Sequence, residues 1–420
     1  MNRFYLLTSL IYSLIFAGLA TRQGELLVLA MPLLLYLAAG LAYRPGALRL
    51  SAVRQLSAGQ LSPGEPVEVT LTVTNEGDDL ADVFIRDTLP AGLQVLAGAP
   101  RLLTALPAGQ SVELRYTVSG QRGAYYFASA QVTVRDGLNL FQKEERLAAP
   151  GQCLILPEVI NLRRVEIRPR QTRVYAGAIP TRQGGPGIEF FGVREYQPGD
   201  PLRWVNSRAT ARQEQRLFVN EFQQERMADI GLILDARQQS NVLTAAGSLF
   251  EHGVQATAAL AATFLKANNR VGLFIYGKTL DWSYPGTGKV QRQRLLTTLA
   301  RATPSDSEVF ATLDHLPTRL FPARSQLVFV SPLLPEDAPL LIRLRARGYQ
   351  LLVISPDPIA FERRDLTATA AGQLATRLAQ LERALLLDQL GQAGIRLLDW
   401  LVETPFEQAV QTILPQVGGR

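Results

Sequence analysis

Asp235 has the clearest potential for metal chemistry in this 420-residue chain. The apolar run ADIGLIL, residues 228–234, predicts a buried strand, so Asp235 is expected at its carboxyl end. An aspartate there, followed by hydroxyl side chains two and four positions later, would supply the oxygen ligands that Mg²⁺ prefers. Arg237 and Gln239 occupy those positions, and a guanidinium repels a cation. The residues therefore favour a structural role for Asp235, as a helix cap or as the partner of Arg237, and we expect no bound metal or cofactor.

The other residue types offer little to an enzyme. The chain has two histidines, far apart in the sequence, so a histidine-based metal site and a Ser–His–Asp triad are poorly supported, and its one cysteine excludes an internal disulfide framework. The segment PGTGKV, residues 285–290, differs from a phosphate-binding loop at two required positions, which Ser283 and Val290 occupy. We therefore expect a protein that is not an enzyme.

A second set of candidate residues lies in the segment GIEFFGVREYQPGDPLRWVNSRATAR, residues 187–212. Its aromatic residues are unlike a disordered linker, and its charges are unlike a core strand. We expect an ordered loop and strand edge, held by internal ion pairs of its carboxylates. Its arginines would bind a protein partner, because a guanidinium pairs with a carboxylate through two parallel hydrogen bonds. The candidate residues are Glu189, Arg194, Glu195, Tyr196, Gly199, Asp200, Arg203, Arg208 and Arg212.

The charge of the whole chain does not indicate a nucleic-acid-binding protein. The 43 Lys and Arg residues exceed the 37 Asp and Glu residues by six, a small excess for this length. The aromatic residues of the charged segment also lack the repeated spacing of a nucleic-acid platform. We therefore expect protein and lipid partners, and no nucleic acid.

Two uncharged apolar runs, residues 4–21 and 26–43, predict a transmembrane helical hairpin within residues 1–45. Each run is about long enough to cross a hydrocarbon core of roughly 30 Å as a helix. The alternative is a signal peptide that is cleaved near Ala20, but it leaves the second apolar run unexplained.

The basic residues beside the two runs predict the orientation of the hairpin. Arg3 precedes the first run, whereas Arg44, Arg49 and Arg54 follow the second. The positive-inside bias then predicts a multi-pass protein of the cytoplasmic (inner) membrane, with both termini and the soluble domains in the cytoplasm.

Three further segments follow the hairpin. Residues 46–157 alternate apolar and polar residues in short runs between turn signals, which predicts an antiparallel β-sandwich. Residues 158–226 form a charged connector, with the motif at 187–225. Residues 227–420 alternate apolar strands with helices, which predicts a doubly wound α/β domain. Ligands of such sheets bind beyond the carboxyl ends of the strands, where Asp235 is expected.

Several motifs in the chain resemble those of the bacterial and archaeal domain-of-unknown-function family 58. The central motif has the form Gly-x-Glu, Arg-Glu-Tyr-x-Pro-Gly-Asp and then an arginine-rich segment. In this chain it consists of Gly187-Ile-Glu189, Arg194-Glu195-Tyr196-Gln-Pro198-Gly199-Asp200 and the stretch from Arg203 through Arg208 to Arg212. The strand LFVNEFQQE, residues 217–225, also matches, as do Arg122-Gly123-Ala-Tyr125 and Arg135-Asp136-Gly137-Leu138. The order of hairpin, sandwich and α/β domain is similar too.

The resemblance implies a von Willebrand factor A-like α/β domain and a role as the membrane-bound partner of a MoxR-type AAA+ ATPase. It implies no established reaction. Two positions depart from the family pattern: Ser207 replaces a tryptophan, with Trp204 earlier, and Pro332 stands where an acidic residue often follows the third core strand. Together with Arg237 and Gln239, these departures argue against metal-dependent adhesion of the ordinary kind.

The sequence thus predicts a membrane-anchored, non-enzymatic adaptor that binds a protein through the arginine-rich segment. One alternative is a metal-dependent ligand-binding von Willebrand factor A domain, which would use Asp235 with a distant hydroxyl such as that of Ser305 or Ser307. A second alternative is an envelope-related enzyme such as a hydrolase. The shortage of histidine and the predicted cytoplasmic topology disfavour it.

Overall fold

The chain folds into two units, Met1–Leu156 and Pro157–Arg420, in a computed structural model. The structure describes residues 3–42, 46–136, 138, 140–162, 165, 173–212, 216–245, 247–277, 280–305, 321, 325–363 and 369–413. For residues 173–189, 223–226, 280 and 412–413 it describes the backbone alone. The two apolar helices and the first β-rich segment group together in the first unit, whereas the charged connector groups with the α/β region in the second.

Two 19-residue helices open the first unit, α1 Arg3–Thr21 and α2 Gly24–Ala42. At 1.5 Å per residue each is about 28 Å long, close to the roughly 30 Å of a bilayer's hydrocarbon core. Their mean hydropathies are 1.7 and 2.0, and 11% of each apolar window is buried within the protein. Both helices are therefore long and apolar enough to cross a membrane, and a signal sequence meets the same criteria.

Strands in two sheets make up most of the rest of the first unit. They are β1 Leu50–Leu56, β2 Gln60–Leu61, β3 Val67–Asn75, β4 Leu80–Asp87, β5 Leu93–Gly98, β6 Arg101–Leu106, β7 Ser111–Gly120, β8 Gly123–Arg135 and β9 Gln142–Ile155. One sheet has the order β1-β3-β7-β5 and the other β2-β9-β8-β4-β6. Burial alternates along β3, because successive side chains of a strand point to opposite faces. Its inward residues join strands of both sheets in one apolar core.

Arg54 of β1 lies inside that core, with the side chains of Arg54 and Asp87 fully buried. Its Nε donates a 3.2 Å hydrogen bond to Asp87 Oδ2, and its other nitrogens contact Asp87 Oδ1 and the carbonyl oxygen of Ala149. The Tyr116 hydroxyl donates to Asp87 Oδ2 at 2.7 Å, and the guanidinium lies 4.7 Å from the ring centroid of Phe127. Arg54 is therefore not available to a membrane surface, so the positive-inside bias rests on fewer arginines than the sequence suggested.

The charged connector contains a long two-stranded antiparallel sheet, formed by β10 Arg173–Glu195 and β11 Phe218–Met227. Its register runs from the pair Arg173–Met227 to the pair Glu195–Phe218, with several register shifts between them. The sequence predicted a strand close to β11, at residues 217–225, but not its long partner β10. The reason is that β10 contains five glycines and two prolines, which are turn signals in a sequence. A single-turn helix, α3 Ser207–Thr210, lies between the two strands.

The remainder of the second unit is an α/β region. Its described strands are β12 Asp229–Asp235, β13 Leu243–Thr244, β14 Gly247–Ser248, β15 Arg270–Tyr276, β16 Leu280–Gly286, β17 Gln326–Val330, β18 Gln350–Pro356 and β19 Arg396–Trp400. Its described helices are α4 Leu249–Lys266, α5 Gly288–Arg301, α6 Ala338–Ala346, α7 Pro358–Glu362, α8 Ala370–Gln392 and α9 Phe406–Ile413. A six-stranded sheet has the order β16-β15-β12-β17-β18-β19 and is parallel except at the edge strand β16.

Helices cover both faces of this sheet. Helix α4 packs closely on one face. A methyl group added at its Gly253 would lie 3.4 Å from Leu234 Cδ1 and 3.6 Å from Val330 Cγ1. On the other face Ile233 and Phe329 pack in a core with residues of α6 and α8. β15 pairs with one side of β12, and β17 pairs with the other side. Because the strand order reverses there, a crevice is expected between the carboxyl ends of β12 and β17.

Candidate functional site

The crevice at the reversal point is lined by Asp235, the last residue of β12, and by Ser331, which follows β17. The Ser331 hydroxyl donates a 2.7 Å hydrogen bond to Asp235 Oδ2. The Ser240 hydroxyl donates to the same oxygen at 2.9 Å from the short 3₁₀ turn that follows β12. One carboxylate and two hydroxyl groups therefore meet at the point of the sheet where ligands of doubly wound folds bind.

The guanidinium of Arg237 occupies the centre of this group of oxygens. Its Nε donates to Asp235 Oδ1 at 2.9 Å and its Nη2 to Asp235 Oδ2 at 2.8 Å. It also pairs with Asp337, through Nη1 to Oδ1 at 3.0 Å and Nη2 to Oδ2 at 2.7 Å. The side chains are only 3% exposed for Arg237 and 1% for each aspartate. One internal cation thus bridges two buried carboxylates.

Local backbone geometry holds the three charged groups in place. The Arg237 backbone N–H donates to Asp235 Oδ1 at 3.0 Å, a short-range turn bond that aspartate readily forms. Asp337 ends the 3₁₀ turn Pro335–Asp337 before α6, and its Oδ2 accepts from the backbone N–H of Leu334 at 2.9 Å. Asp337 is not predictable as a member of this cluster from the sequence, because it lies 100 residues from Arg237.

The electrostatics of the cluster keep Arg237 charged. Burial lowers the pKa of Arg237, but the hydrogen bonds and charges of Asp235 and Asp337 outweigh burial and raise that pKa above its ordinary value. Burial raises the pKa of Asp337, and the hydrogen bonds from Arg237 offset this only in part. The cavity that remains beside the cluster has a volume of about 10 Å³, room for about one water molecule.

The remaining residues of the metal hypothesis lie around this cluster. Gln239 is exposed on the 3₁₀ turn. Ser305 is a backbone neighbour of the cluster, since its N–H donates to Ala236 O at 3.0 Å and its carbonyl accepts from Gln238 N–H at 3.1 Å. Ser307 lies outside the described residues. Among the residues that the structure describes, no group of three or more His, Cys, Asp or Glu side chains has a metal-binding arrangement.

The second candidate site is the segment between β10 and β11, residues 196–217, which we call the motif loop; its residues 213–215 lie outside the description. Arg194 and Asp200 close its base through two parallel hydrogen bonds, of 2.8 Å from Nη1 to Oδ2 and 2.7 Å from Nη2 to Oδ1. Asp200 Oδ2 also accepts from the Gln197 backbone N–H at 2.8 Å. Gly199 has φ +109°, a conformation that L side chains rarely adopt, so a glycine is required in this turn.

The ion pair of Arg194 with Asp200, which we call the clasp, holds Asp200 in its ionised form. The hydrogen bonds from the Arg194 guanidinium and from the Gln197 backbone N–H lower the pKa of Asp200 below its ordinary value, against the opposing effect of burial. Arg194 also lies 3.6 Å from Glu221 of β11, so the clasp ties the loop to both strands.

The other acidic and aromatic candidates have more modest contacts. Glu195 lies 3.4 Å from Arg216 in an exposed ion pair, the kind that contributes little to stability. Tyr196 is half-buried, and its backbone N–H donates to the carbonyl of Leu217 at 2.8 Å. The side chain of Glu189 lies outside the description.

The middle of the motif loop is anchored by Trp204 and Asn206. The Trp204 ring packs edge-on against Phe222 of β11, with centroids 5.5 Å apart. The Asn206 side chain caps α3 by accepting from the Ala209 N–H at 3.0 Å, and its amide donates to Asn220 Oδ1 at 2.7 Å. An aromatic contact and a helix cap therefore give the motif loop a defined shape.

Three arginines of the anchored loop point to solvent. Arg203, Arg208 and Arg212 are exposed, and the described part of the chain offers none of them an ion pair. Arg203 lies 5.9 Å from the Trp204 ring, near enough for a weak cation–π contact. Leu202 beside them is 75% exposed. The loop thus presents exposed guanidinium groups next to an exposed apolar side chain.

Comparison with known families agrees with the sequence resemblance. The family model described as "Protein of unknown function DUF58" matches residues 192–376, from the motif loop into helix α8. The predicted resemblance to this family is therefore confirmed over residues 192–376. No curated protein matches the chain.

Several solved structures are similar to about a quarter of the chain. The CARDB domain of the PF1109 protein from Pyrococcus furiosus is 16% identical over 26% of this chain and 93% of that one, with a TM-score of 0.20. The cupredoxin domain of amoB from Nitrosocaldus yellowstonii is 11% identical over 27% and 89%, with a TM-score of 0.19. A non-cellulosomal cohesin from Archaeoglobus fulgidus is 11% identical over 25% and 91%, with a TM-score of 0.18. Scores this low carry no conclusion about function.

Proposed function

We propose that this protein is a membrane-anchored, non-enzymatic adaptor that binds a protein partner through the motif loop. The observation that carries the proposal is the set of exposed guanidinium groups of Arg203, Arg208 and Arg212, for which the described residues supply no ion pair, on a loop with a fixed base. Loop residues on a rigid scaffold commonly carry binding functions. Arginine beside an exposed apolar side chain is also typical of the residues that contribute most to protein interfaces.

The partner surface should be acidic. A guanidinium pairs with a carboxylate through two parallel hydrogen bonds, so three arginines on one loop suit a row of Asp or Glu side chains. The resemblance to DUF58 proteins names a MoxR-type AAA+ ATPase as the candidate partner, and we include that ATPase in the proposal. Binding of this ATPase requires the second unit to lie in the cytoplasm, with α1 and α2 as the membrane anchor.

The α/β region in this proposal is a von Willebrand factor A-like domain that does not use a metal ion. The strand order of the sheet and the position of Asp235 at the end of β12 support this assignment. Arg237 supplies a positive charge to Asp235 and Asp337, so partner binding should not depend on divalent cations. The two sheets of the first unit are proposed to form a β-sandwich that serves as a spacer.

The proposal is tested by capture of partners with the full-length protein, solubilised from its own membranes. We expect a specific co-eluting protein, and we expect its recovery to fall about tenfold or more when Arg208→Ala and Arg212→Ala are combined, because interface arginines are common hot spots. The matched control is Arg294→Ala, which removes an exposed arginine from α5 and should leave recovery unchanged.

Addition of a chelator separates this mechanism from the metal-dependent alternative. We expect recovery of the partner to be the same with and without EDTA. Loss of the partner on chelation, with no effect of the arginine substitutions, would contradict the adaptor model and favour a metal-dependent domain.

A further inference from the structure

Helix α8 has two apolar faces, and the α/β region covers only one of them. On the covered face Leu386, Leu387 and Leu390 pack against the core beside the sheet. On the opposite face four leucines are 70%, 58%, 63% and 71% exposed, namely Leu374, Leu378, Leu381 and Leu385. We call these four residues the α8 stripe. A continuous exposed apolar stripe of this kind marks an interaction surface, because burial of each leucine is favourable.

The spacing of the α8 stripe is that of a coiled coil. Its leucines follow one another at intervals of four, three and four residues, the alternation of a heptad repeat with apolar a and d positions. Leu374 and Leu381 then occupy d positions, and Leu378 and Leu385 occupy a positions. Asp388 stands at the next d position and ends the stripe.

The charged residues beside the stripe identify the partner helix. Arg377 falls at a g position and Glu382 at the following e position, and both are exposed. In a parallel coiled coil a g residue of one helix faces the e residue five positions later on the other helix. Arg377 of one copy would therefore meet Glu382 of a second copy, and the reverse pair forms by symmetry. The remaining flanking positions within the stripe are Ala375 and Ala384, which introduce no repulsion.

We propose that the α8 stripe pairs with the α8 stripe of a second copy of this chain, as a short parallel coiled coil. Four leucine layers form its seam, and two Arg377–Glu382 ion pairs flank it. The self-complementary charges are what favour a second copy over another protein or a lipid surface. The stripe spans about 17 Å at 1.5 Å per residue, so the interface is small and the dimer is weak and reversible. This dimer is independent of partner binding by the motif loop.

The dimer is tested by cysteine cross-linking of the full-length protein in mild detergent. Leu381→Cys places a thiol at a d position, where identical residues of a parallel pair face each other, so oxidation should give a disulfide-linked dimer. The matched control is Gln380→Cys, which is also exposed and adjacent but lies outside the stripe, and it should remain monomeric. The natural Cys153 is buried and does not interfere.

A charge exchange tests the identity of the partner. In the Leu381→Cys background, Arg377→Glu should lower the cross-linked fraction about fivefold, because two attractive pairs become repulsive. Adding Glu382→Arg should restore it, which neither a lipid surface nor a different protein partner would do. Absence of a Leu381→Cys dimer would overturn the proposal. A second test mixes the Leu378→Cys and Leu381→Cys variants. If disulfides between the two variants formed in preference to disulfides within each variant, the helices would be antiparallel and the proposal would be overturned.

Discussion

Arg237 illustrates how a single side chain changes the chemistry of a crevice. Two carboxylates and two hydroxyl groups converge there, a set of hard oxygen atoms that would suit a divalent cation. The guanidinium instead supplies the positive charge from within the chain. Its planar fork satisfies both carboxylates at once, which a lysine could not do with the same geometry.

The residue-scale prediction concerns Arg237→Ser. Removal of the guanidinium leaves Asp235 and Asp337 buried and uncompensated, so we expect the free energy of unfolding to fall by about 3–5 kcal/mol. The freed oxygen atoms should then bind Mg²⁺, so millimolar Mg²⁺ should raise the Tm of the variant and leave that of the unaltered protein unchanged.

Thermal unfolding with and without Mg²⁺ checks this prediction, and Arg294→Ala is the control for loss of an exposed arginine. An unaltered protein whose Tm rises with Mg²⁺ would show that the crevice takes a metal despite Arg237.

At the scale of elements, the first unit has its own buried ion pair. Arg54 of β1 and Asp87 of β4 belong to different sheets, so their hydrogen bonds join the two sheets across the core. The surrounding residues are apolar, and burial together with the hydrogen bond to Asp87 raises the pKa of Tyr116 above its ordinary value. The three side chains form one polar group inside an apolar core.

The element-scale prediction is a double-mutant cycle on this pair. Arg54→Met should lower the free energy of unfolding by about 3–5 kcal/mol, because it leaves the Asp87 carboxylate buried without its partner. The double variant Arg54→Met with Asp87→Leu should recover much of that loss, since neither charge then remains. Denaturant unfolding of the four proteins gives the coupling energy. Additive losses, with no recovery in the double variant, would contradict a direct buried pair.

At the scale of the whole molecule, the side of the membrane determines whether the proposed partner is accessible. α1 and α2 have the length and apolarity to span a bilayer. Of the four flanking arginines, Arg44 lies outside the described residues. Arg3 and Arg49 are exposed, whereas Arg54 is buried in the first unit. The predicted cytoplasmic orientation therefore depends on a small charge bias.

The whole-molecule prediction is protection from external protease. With the β-rich part of the first unit and the whole second unit in the cytoplasm, protease added to intact spheroplasts should leave the chain uncut. The same protease should digest the chain after the membrane is permeabilised. A periplasmic protein serves as the positive control. Digestion of the second unit in intact spheroplasts would place the motif loop outside and exclude a cytoplasmic ATPase as its partner.

Local patterns of the sequence predicted several elements close to their observed places. The uncharged runs gave helices at α1 and α2, and the alternation VEVTLTVTN gave β3 with its inward apolar residues. The motif at Arg194 and Asp200 was also evident from residue types, because charged residues and turn residues lie next to one another in the chain. In each of these cases the interactions involved span only a few residues.

Features that depend on distant residues required the tertiary structure. Composition, hydrophobic periodicity and the family motif determined from sequence alone that the chain has two apolar helices, a β-rich segment, a charged connector with a DUF58-like motif, and an α/β region. Only the fold brought Asp337 to Arg237, placed Arg54 inside a core and gave the glycine-rich β10 its partner. It also left the α8 stripe uncovered. The physical reason is that periodicity records which face of an element is apolar, whereas the choice between neighbours far apart in sequence depends on how the elements pack.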